Sequence, residues 1–278
     1  MEFRSVAELD PIEEGMRLLI QGQVSSGKSF LAASIGEPKK KARFFDFEGK
    51  LSALARHSNA ANIEGRTYID PPIRQGKFPQ PTAFNNFMLD LGQLEYLKSE
   101  GKLEPAYNVI DTVTFLEGAI VRDELYKNPS ARKTISVGGS ELLVPEGWDA
   151  YKNAKYEIEA LLNRIFALGD TICIAHERPE IDRSVSPKET MDKRLTGRFS
   201  LEPPRLDIIK SLFKDKYRVS SIGSSFTVFL NTNEDFLGAC TFHGCSASEP
   251  ADLHSIIEKH RAFMAQRSKE KESPTDKK

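Results

Sequence analysis

Short apolar runs of the kind that form buried strands recur along the first two-thirds of the chain. These predicted strands are Met16 to Gln21, Ala42 to Phe47, Arg66 to Ile69, Tyr107 to Ile110 and Thr171 to Ala175. Between them, apolar residues three and four positions apart predict helices at Ser29 to Ile35, Thr82 to Lys98, Val113 to Tyr126 and Trp148 to Leu168. Strands that alternate with helices predict an α/β fold, with a mostly parallel central sheet and helices on both faces.

Beyond Asp207 the pattern changes to closely spaced short strands. They are predicted at Tyr217 to Ile222, Phe226 to Asn231 and Gly238 to Phe242, before a helix from Ala251 to Met264. We expect them to add antiparallel strands at the C-terminal edge of the sheet. Two polar segments, Asn128 to Glu146 and Glu177 to Ser200, are predicted as irregular loops. The chain is expected to form one domain over residues 1–265, followed by a charged disordered tail over residues 266–278.

Composition gives only weak guidance to function. The 278 residues are 39% hydrophobic and 28% charged, with a net charge of −1, so bulk charge favours neither nucleic acid nor membrane. Cys173, Cys240 and Cys245 form no Cys-x-x-Cys pair, which favours a reducing, intracellular setting. No apolar stretch approaches the length of a membrane span, and the first residues lack the apolar core of a signal peptide. We therefore expect a cytoplasmic protein with no membrane partner.

The most specific motif is a complete phosphate-binding loop, G-x-x-x-x-G-K-[ST], between the first strand and the first helix. Its backbone N–H groups surround the β-phosphate, and its lysine neutralises charge on the β- and γ-phosphates. The pattern is short and can arise by chance, but its position between a strand and a helix is the context that supports it. The predicted ATP-binding residues are Gly22, Gln23, Val24, Ser25, Ser26, Gly27, Lys28, Ser29 and Phe30.

Mg²⁺ is the second predicted cofactor. The Ser29 hydroxyl is expected to bind it, together with the carboxylate of Asp111 at the end of the apolar run Asn108 to Thr112. A carboxylate at the carboxyl end of a central parallel strand faces the crevice where ligands bind. Asp111 could instead cap the helix that follows it.

Glu48 and His176 are the other catalytic candidates beside Lys28. Glu48 lies two positions after Asp46, and a glutamate there can accept a proton from the attacking water. The alternative is a turn carrying two solvated acids. His176 follows the strand Thr171 to Ala175, where it could contact the γ-phosphate and report hydrolysis to the adjoining loop. A lone histidine can equally be structural.

No Asn-Lys-x-Asp motif for guanine is present, and no arginine-rich lid suggests a small-molecule kinase. Four stretches, Gly22–Ser29, Phe44–Gly49, Asn108–Thr112 and Thr171–Glu177, resemble the core of RecA-like ATPases, in particular phage-encoded single-strand annealing ATPases of the Sak type. The likeness covers about residues 10 to 245. It implies that Glu48 is the catalytic base, and that His176 stands where relatives usually have glutamine.

The resemblance also implies DNA-contacting loops after the helix that follows Asp111 and after His176. Basic side chains suited to a phosphate backbone are present in both segments, although acidic residues accompany them. The DNA-binding candidates are Arg132, Lys133, Lys193, Arg194 and Arg198.

The leading interpretation is an ATPase that binds single-stranded DNA in phage recombination or replication, in the cytoplasm of a bacterial host if phage-encoded. Relatives form rings or filaments, so a homo-oligomer is expected, and a single-stranded-DNA-binding protein is a further candidate partner. The late-strand Lys or Arg that would reach a neighbouring subunit is not evident; the stretch offers His243, and Lys214, Lys216 or Arg218 could substitute. The alternatives are a motor or loader acting on protein partners, and a nucleotide-gated switch with negligible hydrolysis.

Overall fold

The computed structural model describes residues 15–72, 79–137, 140–181, 195–222, 225–230 and 240–272. The strands among them are β1 Arg17–Gly22, β2 Lys41–Asp46, β3 Ile63–Thr67, β4 Ala106–Asp111, β5 Arg132–Val137, β6 Ser140–Pro145, β7 Thr171–Ile181, β8 Leu195–Leu201, β9 Asp215–Ile222, β10 Ser225–Phe229 and β11 Ser248–Pro250. The α-helices are α1 Lys28–Ala33, α2 Ala83–Ser99, α3 Val113–Lys127, α4 Asp149–Leu168 and α5 Leu253–Glu272. None of these helices combines the length and the apolar character needed to cross a membrane.

The central sheet has the strand order β11-β10-β9-β1-β7-β4-β2-β3. The six strands from β9 to β3 are parallel, and β10 and β11 add antiparallel pairs at one edge. This order places β7 between β1 and β4, so the carboxyl ends of β1, β4 and β2 lie side by side, next to residues 174–176 in the middle of β7. The predicted fold class, mostly parallel with antiparallel strands at the C-terminal edge, is confirmed.

Two apolar layers cover the faces of the sheet, as the alternation of side chains along a strand requires. Leu19 of β1 packs in the layer formed with α2, α3 and α4. Leu18 and Ile20 point to the opposite face, where α1 and α5 pack. Because both faces are buried, β1 is apolar at consecutive positions, and its carboxyl end is fixed from both sides.

The two segments predicted as irregular contain strands instead. Within the first, β5 and β6 form an antiparallel hairpin with Arg132 opposite Pro145. Gly138 and Gly139 lie outside the described residues, but a glycine pair between two β-rich runs is a hairpin signal that the sequence interpretation took for a loop. Within the second, β7 continues to Ile181 and pairs with β8, while residues 182–194 lie outside the described residues.

Other predicted boundaries were also wrong. The described residues of the last predicted strand, 240–242, are not in a strand, because Asp215 binds the backbone N–H of Thr241 at 2.6 Å in place of a sheet partner. The edge strand is β11 instead. β3 begins at Ile63, three residues before the predicted start. Helix α5 continues through Glu272 into the predicted tail, whose lysines and glutamates favour helix. The division of the chain into a domain over residues 1–265 and a tail beyond it stays a prediction.

Candidate nucleotide site

The loop between β1 and α1 has a left-handed backbone at two positions. Ser25 and Gly27 both have positive φ, at 63° and 88°, before α1 begins at Lys28. A Cβ atom at Gly22 would lie 2.5 Å from the carbonyl oxygen of Val219 on β9. Glycine is therefore required at Gly22 by close packing, and at Gly27 by the left-handed backbone.

Lys28 lies inside this loop and is nearly fully buried. Its ammonium donates to the carbonyl oxygens of Gly22 and Gln23, at 3.0 and 2.6 Å. Burial lowers the pKa of Lys28 to about 8, although the negative charges of Asp111 and Glu48 oppose this change. The lysine is thus a largely desolvated cation held by two carbonyl oxygens of the loop.

A cavity of about 320 Å³ opens beside the loop. It is lined by Ser25, Ser26, Gly27, Lys28, Ser29, Phe30, Glu48, Lys50, Ala53, Leu54, His176 and Phe226. The cavity therefore brings together most of the predicted loop residues with Glu48 and His176, which lie far apart in the sequence. Of the remaining loop residues, Gln23 and Val24 are exposed and Gly22 is buried.

Asp111 ends β4 and is buried, with 4% of its surface exposed. Its Oδ1 atom has no hydrogen-bond partner among the described residues, while the carboxylate accepts a hydrogen bond from the Ser29 hydroxyl. Burial raises the pKa of Asp111 to about 7. A buried, unpartnered carboxylate oxygen beside a hydroxyl fits a Mg²⁺ ion shared with a nucleotide. The helix cap considered for Asp111 is supplied by Thr112, whose side chain accepts from the backbone N–H of Phe115.

Glu48 faces His176 across the cavity. Its Oε2 atom lies 3.6 Å from His176 Nε2, and its Oε1 atom forms an ion pair with Lys50. His176, followed by Lys50, lowers the pKa of Glu48 to about 2, although burial opposes this change. Glu48 is therefore fully ionised near neutral pH, with its Oε1 atom paired with Lys50 and its Oε2 atom near His176.

The position of His176 is fixed by its neighbours in the sheet. It pairs with Gly22 in the register of β7 and β1, so it flanks the first residue of the phosphate-binding loop. Its backbone N–H donates to Thr114 Oγ1 at 3.1 Å, and its ring meets the edge of Phe115. Both contacts reach the start of α3, which follows Asp111.

Asp46 has a different role from Glu48. Its Oδ1 atom accepts from the backbone N–H groups of Glu48 and Gly49, at 3.0 and 2.8 Å. Its Oδ2 atom accepts from the backbone of Leu51 and from the Thr67 hydroxyl, each at 2.9 Å. With both oxygens occupied, Asp46 organises the turn that carries Glu48 and has no free lone pair directed at a water. The alternative of two solvated acids does not describe it.

Several contacts at the site had no local signal in the sequence. Phe226 of β10 lies against the loop, so that a Cβ atom at Gly27 would come within 2.8 Å of its ring. Arg218 of β9 forms a buried ion pair with Glu177 at 3.0 Å, next to His176. The side chain of Glu177 is almost fully buried, and burial raises its pKa despite Arg218. Only the order of strands in the sheet brings these residues to the site.

The other residues considered for a neighbouring subunit's site also have partners. Lys216 donates to the carbonyl of Phe213 at 3.3 Å. His243 packs among aromatic rings, with its ring 5.8 Å from His260 and 5.3 Å from Phe263. None of these contacts assigns a residue to a neighbouring subunit.

The DNA-binding candidates are only partly described. Arg132 donates to the carbonyl oxygens of Leu125 and Tyr126 at the end of α3, which makes it a helix-capping residue in this conformation. Lys133 is exposed on β5. Lys193 and Arg194 lie outside the described residues, as does the side chain of Arg198 on β8. Their role in binding DNA stays a prediction.

The pKa of Asp111 leads to a prediction about pH. Mg²⁺ requires the ionised carboxylate, so protons compete with the metal below about pH 7. We expect the Mg²⁺ affinity of the protein–ATP complex to fall roughly tenfold between pH 8 and pH 6, because one group titrates in that range. The γ-phosphate also titrates between pH 6 and pH 8, so the pH dependence of Asp111→Asn measures its contribution alone. This variant should bind Mg²⁺ more weakly than the parent, and its Mg²⁺ affinity should change less with pH. Identical profiles in the two proteins would contradict the metal role.

Comparison with known proteins gives a limited result. No family model matches the chain, and no curated protein matches it. A solved structure described as a prototypical ATPase from the type III secretion system of pathogenic bacteria matches with 15% sequence identity and a TM-score of 0.40. The match covers 74% of this chain but only 52% of that one, so this chain spans about half the length of the secretion ATPase.

Proposed function

We propose that this protein binds and hydrolyses Mg-ATP. The observation that carries the proposal is the convergence of Lys28, Glu48 and His176 on one cavity, with Asp111 bound to Ser29 beside it. These residues come from four neighbouring strands of one sheet. Together they supply a phosphate-binding cation, metal ligands, a carboxylate and a polar side chain that can follow the γ-phosphate.

The phosphates would lie in the loop, with the Lys28 ammonium exchanging the carbonyl oxygens of Gly22 and Gln23 for phosphate oxygens. Bound Mg²⁺ would neutralise charge between the β- and γ-phosphates. The rings of Phe30 and Phe226, each 44% exposed at the cavity, offer apolar surface to the base. Apolar surface of this kind can contact the base without hydrogen bonds specific to guanine.

We assign to Glu48 the role of general base, which takes a proton from the attacking water. Its low pKa keeps it ionised, but also makes it a weak base while His176 and Lys50 hold it. A γ-phosphate that draws these two cationic or hydrogen-bonding partners toward itself would free the carboxylate and raise its basicity. Nucleotide binding would in this way activate the base.

The same low pKa supports a second candidate function. If Glu48 stays paired with His176 and Lys50 when ATP is bound, hydrolysis would be negligible and the protein would be a nucleotide-gated switch. A third candidate, an ATPase acting on protein partners, is favoured by the exposed aromatic residues of α4. Trp148, which precedes that helix, is 77% exposed, and Tyr156 is 56% exposed.

We propose single-stranded DNA as the partner, in phage recombination or replication, on the strength of the resemblance to annealing ATPases. The structural support is that one strand connects the two places. β7 carries His176 at the cavity and then pairs antiparallel with β8, and we call this pair of strands the β7–β8 ribbon. Glu177, the next residue, forms an ion pair with Arg218 of β9, so this part of β7 is also linked to β9. A displacement of His176 by ATP would therefore reach the ribbon directly.

The test of this coupling uses two variants. Replacing Lys193, Arg194 and Arg198 together by alanine should weaken single-stranded DNA binding at low salt and flatten its salt dependence, because fewer phosphates are neutralised. ATP affinity should not change. His176→Ala should bind both ligands but lose their mutual enhancement, since coupling between two sites is reciprocal.

The matched control replaces three exposed lysines at the opposite edge of the sheet, Lys39, Lys41 and Lys102, by alanine. DNA titrations with and without a non-hydrolysable ATP analogue give the DNA affinity and its enhancement by nucleotide. If the ribbon variant binds DNA as the parent does, the DNA proposal fails and the protein-partner candidate takes its place.

A homo-oligomer, as a ring or a filament, is also proposed. Phe30 and Phe226, which line the cavity, are each 44% exposed, and Val24 of the same loop is 58% exposed, so this part of the surface carries exposed apolar side chains. A second copy of the chain could cover them. Light scattering with and without Mg-ATP would measure assembly, and a monomer under both conditions would reject it.

A further inference from the structure

One edge of the central sheet is open to pairing. β3 ends the strand order, and no strand of the described residues pairs with its outer side. Gly65, at the centre of β3, is exposed, as are Arg66 and Thr67 after it, so the backbone is accessible from outside. An exposed strand edge can pair with a strand of another chain. We call the outer side of Ile63–Thr67 the β3 edge.

The hydrogen bonds to β2 determine which backbone groups of β3 face outward. The backbone N–H of Tyr68 donates to the carbonyl oxygen of Asp46 on β2 at 2.7 Å. Successive residues of a strand direct their backbone groups to opposite sides, so every second residue before Tyr68 also faces β2. The residues whose N–H and C=O groups point away from the sheet are therefore Ile63, Gly65 and Thr67.

The sequence around Gly65 is complementary to itself in charge. Glu64 precedes the glycine and Arg66 follows it, and both side chains lie on the same face of the sheet because they are two positions apart. If two copies of β3 pair antiparallel with their Gly65 residues opposite each other, each Glu64 lies opposite Arg66 of the other copy. Cross-strand pairs of opposite charge stabilise a sheet. Other registers lose both pairs, so the charges favour this one alignment.

Both charged side chains remain accessible to a second copy. The Arg66 side chain is 59% exposed, and its Nη1 atom alone donates to Asp90 of α2, at 2.7 Å. The other nitrogens of the guanidinium can therefore donate elsewhere. The Glu64 side chain is 36% exposed. Its Oε1 atom accepts from Arg43 at 2.7 Å, whereas its Oε2 atom lies 3.9 Å from Lys41.

A groove of about 370 Å³ lies beside the β3 edge and is lined by residues of β2, β3 and α2. Leu94, Leu97 and Tyr68 give it apolar surface. Its charged residues form two pairs of opposite sign, Arg43 with Glu64 and Arg66 with Asp90. The groove thus carries no excess charge that would repel a second copy, and its apolar wall suits the aliphatic part of an arginine side chain.

We propose that β3 pairs with β3 of a second copy of this chain, antiparallel and centred on Gly65, to form a dimer with one continuous sheet. The outward backbone groups of the two strands would form about six hydrogen bonds. Arg66 of each copy would contact Glu64 of the other and enter the groove beside it. The contact uses the same surface of both copies, so it closes at two. None of the paired residues lines the nucleotide cavity, so the dimer should form equally with and without Mg-ATP.

Sedimentation equilibrium at up to about 100 µM protein measures the dimer, a concentration suited to a small interface. Arg66→Glu should weaken the dimer roughly tenfold or more, because two acids would then meet in both cross-strand pairs. Glu64→Lys should weaken it similarly, because two bases would meet. Lys152→Glu makes the same reversal of charge as Arg66→Glu at an exposed position of α4, and should dimerise as the parent does.

A mixture of the two variants provides the sharpest test. In a mixed dimer of Arg66→Glu and Glu64→Lys, each cross-strand pair again joins an acid to a base. The mixed dimer should therefore form about as tightly as the parent dimer, which sedimentation of a fluorescently labelled trace of one variant in an excess of the other measures. Should Glu64→Lys not fold without its ion pair to Arg43, Glu64→Gln replaces it. That mixture restores one of the two pairs and should recover part of the affinity.

The proposal is overturned if the parent stays monomeric at about 100 µM, if Arg66→Glu dimerises as the parent does, or if the mixture pairs no more tightly than the separate variants. Binding and hydrolysis of Mg-ATP should be the same in all of these proteins, since no replaced residue lines the nucleotide cavity. Failure of this inference therefore leaves the proposed ATPase function untouched.

Discussion

Lys28→Ala is expected to weaken Mg-ATP binding by about a hundredfold or more, a loss of about 2.8 kcal/mol of binding free energy. The loop would keep its backbone shape, but the phosphates would lose the cation that offsets their charge. The empty protein should not lose stability. Burial lowers the pKa of Lys28 to about 8, so its charge costs more in the folded protein than its partners return, and the variant removes that net cost.

Thermal unfolding with and without Mg-ATP measures both effects. In the parent, ATP at a hundredfold excess over its Kd should stabilise the folded state by about 2.7 kcal/mol. Lys28→Ala should show no such increase at the same concentration. Lys41→Ala, which removes an exposed lysine from the far end of β2, serves as the control and should respond as the parent does. An unchanged ATP response in Lys28→Ala, with the fold intact, would refute the assignment of the loop.

Glu48→Gln is expected to lower hydrolysis by a factor of about 10² to 10⁴, the usual contribution of a general base. An amide keeps the shape of the side chain but cannot take a proton from water. ATP binding should be retained, because Glu48 is not among the groups that we expect to hold the phosphates. Glu64→Gln, at a half-exposed acid on β3, is the matched control.

Hydrolysis at the parent rate by Glu48→Gln would remove Glu48 from the mechanism. Asp46 would then be a poor replacement, since four donors already occupy its two oxygens. Asp46→Asn is instead expected to lower the melting temperature, because an amide nitrogen would face donors of the turn. Separate effects on rate and on stability would distinguish the two acids.

The parts of the candidate site that have a local physical signature could be located from the sequence, although their roles stay predictions. The apolar strand, the glycine-containing loop and the helix at Lys28 follow each other directly in the chain. Asp111 ends β4, as its apolar run predicted. His176 lies within β7 and not at its end, because β7 continues to Ile181, but it pairs with Gly22 at the carboxyl end of β1.

The contacts that the sequence did not predict depend on strand order and register. Phe226 reaches Gly27, and Arg218 reaches Glu177, only because β9 lies beside β1 and β10 lies beside β9. The hairpin of β5 and β6 was missed for a different reason. Its glycine pair indicates either a loop or a tight turn, and only the strand pairing on both sides decides between them.

The measurement that tests the central claim most directly is phosphate release from saturating Mg-ATP by the parent, Lys28→Ala and Glu48→Gln, with and without single-stranded DNA. We predict turnover by the parent that is lost in both variants, with ATP still bound by Glu48→Gln and not by Lys28→Ala. Stimulation by DNA would add support for the proposed partner. Binding of ATP by the parent without any release of phosphate, with DNA present or absent, would contradict the ATPase and leave a nucleotide-gated switch.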